Sequence, residues 1–231
     1  MKKRELLLLT GLLTLALTLF GCTAKNNAPV NQSQDLAAMQ MAFSDSKNLP
    51  IKTVDYDFGK KTIAKSENIP TDFSYFLRGI ISYPSDKKEG LLKPIIILHG
   101  NHDNSDSKRY DMGFKYLTEY LAQNGYLALS LDINAAYNWS YGDNLEYDKI
   151  PILFGEHIKL LQELNKGKAN NLGIDLKDRI DFSQSLLIGH STGGQLIFDI
   201  AADQEKYGLV INNLLPIAPT INNDDTVFDL P

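Results

Sequence analysis

Cysteine is almost absent from this sequence, which contains a single one, Cys22. One thiol excludes an intrachain disulfide, and it excludes a metal site built from several cysteines. Basic residues are too few to form a stripe along the chain: 23 lysines and arginines are outnumbered by 28 aspartates and glutamates, and the formal net charge is −5. Because nucleic-acid binding depends on neutralising phosphates, no nucleic-acid partner is expected.

Other familiar signatures are missing as well. The sequence has no internal repeat and no glycine-rich phosphate loop, and its four histidines lack the spacing of metal ligands, so we expect no metal and no cofactor. Hydrophobic residues at 43% and charged residues at 22% are instead typical of a globular protein. A chain of 231 residues is long enough for one α/β domain with a substantial core.

The N-terminus combines a basic start with a short apolar stretch. Residues 2–4 are basic, residues 6–20 are largely apolar, and Gly21 stands directly before Cys22. Such a stretch is too short for a comfortable membrane span and is typical of a secretory signal. A small residue before a cysteine resembles the bacterial lipobox, which implies that residues 1–22 are a lipoprotein signal and that Cys22 is lipidated. The alternatives are an ordinary signal peptide with a chance cysteine, or an uncleaved anchor helix.

The lipidated form would sit on the extracytoplasmic side of a membrane in the bacterial cell envelope. Residues 23–50 are rich in Asn, Gln, Ala and Ser, which bury little surface, and they predict a flexible tether. Residues 51–231 are left for the folded domain.

Alternating apolar strands and amphipathic helices predict the fold class α/β. The apolar run Ile95–Leu98 indicates a strand buried on both faces, and the strand–helix–strand alternation predicts a mostly parallel sheet with helices on both faces. The first two strands are expected to pair as antiparallel edge strands. Functional loops are expected at the carboxyl ends of the parallel strands. The predicted strands are 53–58, 73–83, 95–98, 126–131, 185–188 and 210–217; the predicted helices are 110–123, with Phe114, Leu117, Tyr120 and Leu121 on its apolar side, 150–165 and 194–205.

The pentapeptide Gly189-His190-Ser191-Thr192-Gly193 has the form G-x-S-x-G. It directly follows an apolar strand and directly precedes a helical pattern, which is the context of a nucleophile elbow. A sharp turn there would strain the serine backbone and expose its hydroxyl, with the flanking glycines avoiding Cβ clashes. The Thr192 N–H is then one predicted oxyanion donor. The alternative is that Ser191 merely caps the helix. His190 is expected to point away from the nucleophile.

A second loop, His99-Gly100-Asn101-His102, follows the strand that ends at Leu98. Gly100 permits a tight turn, and the Asn101 N–H is the predicted second oxyanion donor. His99 is expected to support the loop. For His102 we consider both loop support and a place in the lining of the site.

These two loops, together with Gly125-Tyr126 through Asp132 and the segment 181–194, resemble the α/β-hydrolase superfamily, in particular bacterial secreted serine hydrolases. The resemblance covers roughly residues 73–220. It implies acyl-transfer chemistry through Ser191, with a small-molecule or lipid carboxylic ester as substrate. Peptide cleavage on the same fold is a further possibility.

The base that would activate the serine has no candidate in the expected place. In the resembled fold the catalytic residues occur in the order Ser, acid, His, whereas all four histidines here precede Ser191. We expect the sequence to be a C-terminally truncated piece whose final strands, acid and histidine lie beyond Pro231, and this chain alone to be inactive. The alternative is a degraded, inactive relative that acts as a binding module.

The remaining candidates have ordinary structural explanations. Asp132 is expected to hold its own loop rather than act in catalysis, and His157 to be packed or exposed on a helix. Asp224 and Asp225 either supply an acid or lie in a solvated loop. Loop aromatic residues either line an acyl pocket or simply pack. They are Tyr137, Trp139, Tyr141 and Tyr147.

Overall fold

A computed structural model describes most of the predicted domain. The predicted signal, Cys22 and the tether up to residue 46 lie outside the described residues, as do Trp139, Tyr141, Tyr147, Asp224 and Asp225. The described ranges are 47–66, 72–86, 90–102, 108–137, 149–168 and 172–220. The tether prediction ended at residue 50. Leu49 already donates its N–H to the Gln123 carbonyl at 3.0 Å, so contacts with the domain begin before that boundary.

The described strands form one six-stranded sheet in the order β1-β2-β4-β3-β5-β6. The first two pairings, β1 with β2 and β2 with β4, are antiparallel, and the remaining pairings are parallel. The prediction of a mixed, mostly parallel α/β sheet is therefore confirmed. The strands are β1 (Ile51–Ile63), β2 (Phe73–Pro84), β3 (Pro94–Leu98), β4 (Leu127–Leu131), β5 (Ser185–His190) and β6 (Ile211–Ile217).

Helices cover both faces of this sheet, as predicted. Their bounds are α1 (Lys115–Gln123), α2 (Lys149–Asn165) and α3 (Thr192–Ala202), and a 3-10 turn (Asp111–Phe114) leads into α1. Successive residues of β3 point to opposite faces. Ile95 and Ile97 pack with α1, whereas Ile96 and Leu98 belong to the larger core that includes residues of α2 and α3. None of the described helices is long and apolar enough to cross a membrane.

Three expectations about individual elements are wrong. β1 runs on to Ile63 because Gly59, with φ of 73°, accommodates a bulge instead of ending the strand. β2 is an interior strand, paired on both sides, and not an edge. Tyr120 is 41% exposed, because the small polar Thr118 occupies the buried side of α1. The Thr118 hydroxyl lies 2.9 Å from the Ser82 hydroxyl, so the buried threonine has a hydrogen-bond partner.

Candidate active site

The sheet order predicts a crevice between β3 and β5. From β3 the chain turns to β4 on one side, and from β5 it turns to β6 on the other side. Neighbouring parallel strands whose connections diverge leave an opening at their carboxyl ends, where α/β proteins bind ligands. The His99–His102 loop leaves β3 at this edge, and Ser191 leaves β5 at the same edge.

Ser191 occupies a backbone conformation that side chains rarely adopt, with φ of 54° and ψ of −123°. Its N–H donates to the Ile217 carbonyl at 3.0 Å, and its carbonyl accepts from the N–H groups of Gly194 and Thr220 at 2.9 and 3.1 Å. These bonds hold the strained turn between β5 and α3. The side chain forms no capping hydrogen bond with the helix, and nothing in the described part of the chain bonds to its hydroxyl.

The elbow glycines are required by close backbone approaches. A Cβ on Gly193 would lie 2.6 Å from the His99 carbonyl oxygen and 2.7 Å from that of Leu98. A Cβ on Gly189 would collide with the Gly193 carbonyl group. A Cβ on Gly194, which the sequence motif does not include, would lie 2.9 Å from the Gly189 carbonyl oxygen. The start of α3 thus rests directly on the ends of β3 and β5.

The loop after β3 touches Ser191. A Cβ added to Gly100 would lie 2.9 Å from the Ser191 Cβ and 3.3 Å from the His190 Nδ1. The two sequence motifs, far apart in the chain, are therefore in van der Waals contact. His190 lies on the Gly100 side of the elbow.

His99 is buried beneath this loop with 1% of its surface exposed. Its Nδ1 is 2.7 Å from the Gly100 carbonyl oxygen, and its Nε2 is 3.1 Å from the Ile133 nitrogen. A carbonyl oxygen can only accept and a backbone N–H can only donate, so the ring is the neutral tautomer with its proton on Nδ1. Tyr137, for which we considered both a pocket wall and simple packing, is 3% exposed. Its hydroxyl donates to the His99 carbonyl at 2.6 Å.

His102 stacks flat on Tyr110, with the ring centroids 4.0 Å apart and the planes 18° from parallel. The side chain is half-buried. Burial, followed by the neighbouring His99 and His190, lowers the pKa of His102. The stack on Tyr110 supports the loop, and the place of His102 in the lining of a site stays a prediction.

Asp132, which directly follows β4, forms hydrogen bonds that hold its own loop. Its Oδ2 accepts from Arg78 Nε at 2.5 Å, and its Oδ1 accepts from the Asn134 N–H at 3.0 Å. Burial alone would raise the pKa of this carboxyl, but Arg78 and the Asn134 N–H hold the pKa below its usual value. His99 Nε2 is 3.8 Å from Oδ1, which is too far for a hydrogen bond, and it already accepts from the Ile133 N–H. Asp132 is therefore an ionised group with its oxygens already occupied.

His157 lies in the core, where its Nδ1 is 2.7 Å from the Tyr56 hydroxyl. Burial lowers its pKa to about 4, although Asp132 and Glu156 act in the opposite direction. The pair was missed from the sequence. Tyr56 sits in an unremarkable strand and His157 in a helix that carries no motif, so no local signal joined them.

The two predicted oxyanion donors are available. Thr192 is the first residue of α3, and the N–H groups of Asn101 and Thr192 have no hydrogen-bond partner among the described residues. The Asn101 side-chain oxygen is also buried without a partner there. The Ser191 turn thus lies beside two N–H groups without a described partner, Thr192 at the N-terminus of α3 and Asn101 in the loop after β3, and such groups can stabilise negative charge.

The described residues contain no cluster of three or more His, Cys, Asp or Glu side chains that could hold a metal ion. A scan against protein-family models finds no match for the chain, and a search of curated proteins finds no similar sequence.

Proposed function

We propose that this chain carries the nucleophile and oxyanion hole of an envelope-anchored serine hydrolase of the α/β-hydrolase kind, which cleaves carboxylic esters through an acyl-enzyme on Ser191. One observation carries the proposal. Ser191 is held in a left-handed turn with a free hydroxyl, at the crevice between β3 and β5, against the Gly100 loop. The strand–turn–helix context of the motif supports the same assignment.

The chemistry follows from these groups. The Ser191 oxygen attacks the ester carbonyl carbon while a general base takes its proton, and the carbonyl oxygen becomes an oxyanion. The N–H groups of Thr192 and Asn101 stabilise that charge. The base returns the proton to the departing alcohol, and water then hydrolyses the acyl group from Ser191. The base is not assigned within this chain, because His99 and His157 are buried and already bonded, and no histidine follows Ser191.

A covalent probe tests this proposal most directly. A fluorophosphonate should label the full-length gene product at Ser191, and Ser191→Ala should lower the labelling rate by at least about 100-fold, because the probe would lose the hydroxyl that it phosphonylates. Ser183→Ala is the matched control: its hydroxyl only bonds Asp181 on the surface, and labelling should be unchanged. Labelling that survives Ser191→Ala, as mapped by peptide mass spectrometry, would show that the nucleophile is wrong.

A binding module on the same scaffold is the second candidate. It is favoured by the absence, among the described residues, of a side chain that bonds the Ser191 hydroxyl and could take its proton. A folded full-length protein that takes up no fluorophosphonate would support this candidate over the enzyme.

The membrane anchor is a separate part of the proposal, supported by the sequence around Cys22. Radiolabelled palmitate should enter the wild type and should be absent from Cys22→Ala, because acyl chains are attached to the thiol. Each buried methylene adds about 0.8 kcal/mol of membrane affinity, so the variant should also leave the membrane fraction. Gly21→Ala keeps a small residue before the cysteine and should remain labelled. Equal labelling of wild type and Cys22→Ala would exclude the lipid anchor.

A further inference from the structure

We propose that Tyr137 is a positioning residue that orients the oxyanion loop through His99; this rests on the proposed function. Tyr137 belongs to the segment after β4, whereas the loop it would orient follows β3. Its hydroxyl donates to the His99 carbonyl at 2.6 Å, and both residues are buried.

The first consequence concerns the peptide between His99 and Gly100. No described peptide bond is cis, and in a trans peptide the C=O and the N–H point in opposite directions. Fixing the His99 carbonyl on the Tyr137 hydroxyl therefore also fixes the direction of the Gly100 N–H. On its other side the same carbonyl oxygen is in close contact with the backbone of Gly193.

The second consequence concerns the next peptide, whose N–H belongs to Asn101. The Gly100 carbonyl accepts from His99 Nδ1, so the Asn101 N–H must point away from the His99 ring. The ring itself is held by the Ile133 N–H on Nε2. The two successive peptides of the oxyanion loop are thus tied, directly or through His99, to the segment after β4.

The packing makes this arrangement specific. The Tyr137 and His99 rings meet at 5.7 Å between centroids with planes at 60°. If the His99 peptide turned over, its carbonyl would lose the tyrosine donor, and the predicted oxyanion donor next to it would change direction. Tyr137 therefore acts on the direction of N–H groups that it does not itself contact.

The test is Tyr137→Phe in the full-length protein, which removes the hydroxyl and keeps the ring. We expect kcat for p-nitrophenyl esters to fall by about tenfold or more with KM within about twofold, since misdirected donors affect the transition state more than substrate binding. Tyr83→Phe is the matched control. Its buried hydroxyl accepts from the Asp175 N–H at 3.1 Å, at the opposite end of the parallel strands, so a lost structural bond there should leave kcat unchanged.

NMR relaxation dispersion provides a readout that needs no turnover. In Tyr137→Phe the Gly100 and Asn101 amides should show new exchange between orientations, and in Tyr83→Phe they should not. Either of two results would overturn the positioning role: a folded Tyr137→Phe variant with wild-type kcat, or relaxation-dispersion profiles that show no exchange at the Gly100 and Asn101 amides. Turnover that survives Ser191→Ala, or a wild type without turnover, would instead remove the proposed function, and the dispersion measurement would then decide the role of Tyr137 alone.

Discussion

Gly193→Ala should lower the free energy of unfolding by more than about 4 kcal/mol, which is close to the whole stability of many domains of this size. The added Cβ would meet the carbonyl oxygens of His99 and Leu98 at 2.6 and 2.7 Å. Both are backbone atoms of the chain leaving β3, so relief requires α3 to move away from the sheet. The core residues that α3 contributes would then lose their contacts.

The sign of this effect is decided by the close approach and not by helix propensity. Alanine in a helix is favoured over glycine by about 1 kcal/mol, which would otherwise make the change stabilising. Gly113→Ala is the matched control, because a Cβ there meets nothing within 4 Å, and we expect an unchanged or slightly higher stability. Chemical denaturation followed by circular dichroism measures both variants. A Gly193→Ala protein with wild-type stability would show that the elbow is not packed as described.

Arg78→Met should lower the free energy of unfolding by about 3–5 kcal/mol at neutral pH, because it leaves the buried Asp132 carboxylate without the guanidinium that pairs with it. Asp132 is 3% exposed, and Arg78 Nε donates directly to its Oδ2. The Arg78 guanidinium also stacks on Phe76 at 4.4 Å, a contact that the methionine side chain partly replaces. The loss is therefore mainly electrostatic.

The pH dependence separates this cause from lost packing. In the wild type the pKa of Asp132 is depressed, so its contribution to stability is present above the unfolded-state pKa and is lost as the pH falls through the folded-state pKa. Without Arg78, burial should raise that pKa, and acidification should recover part of the stability by protonating the carboxyl.

Two comparisons complete the Arg78 experiment. Adding Asp132→Asn to Arg78→Met should restore much of the stability, since the amide carries no charge. Lys159→Met breaks an exposed pair with Glu156 and should change stability by less than about 1 kcal/mol. Urea denaturation measures the loss in the free energy of unfolding for each variant. Equal losses for Arg78→Met and Lys159→Met would show that burial of the Arg78–Asp132 pair does not decide the effect.

The local pattern of the sequence was enough to predict the fold class, the approximate position of each strand and the sharp backbone turn at Ser191. Apolar runs such as Ile95–Leu98 report burial, and a glycine-flanked serine between a strand and a helix reports a backbone turn. Both properties depend on residues a few positions apart. For the same reason the predicted donors, Asn101 and Thr192, could be named as the residues next to each turn.

The tertiary structure alone decided which distant residues meet. The interior position of β2 depends on its pairing with β4, and the buried His157–Tyr56 pair joins α2 to β1. The tautomer of His99 depends on the Ile133 N–H, and the Tyr137 hydroxyl reaches the loop after β3 only because β3 and β4 are neighbours in the sheet. Periodicity encodes which side of an element is buried, but it carries no information about the partner, because hydrogen bonds and close contacts depend on distance in space.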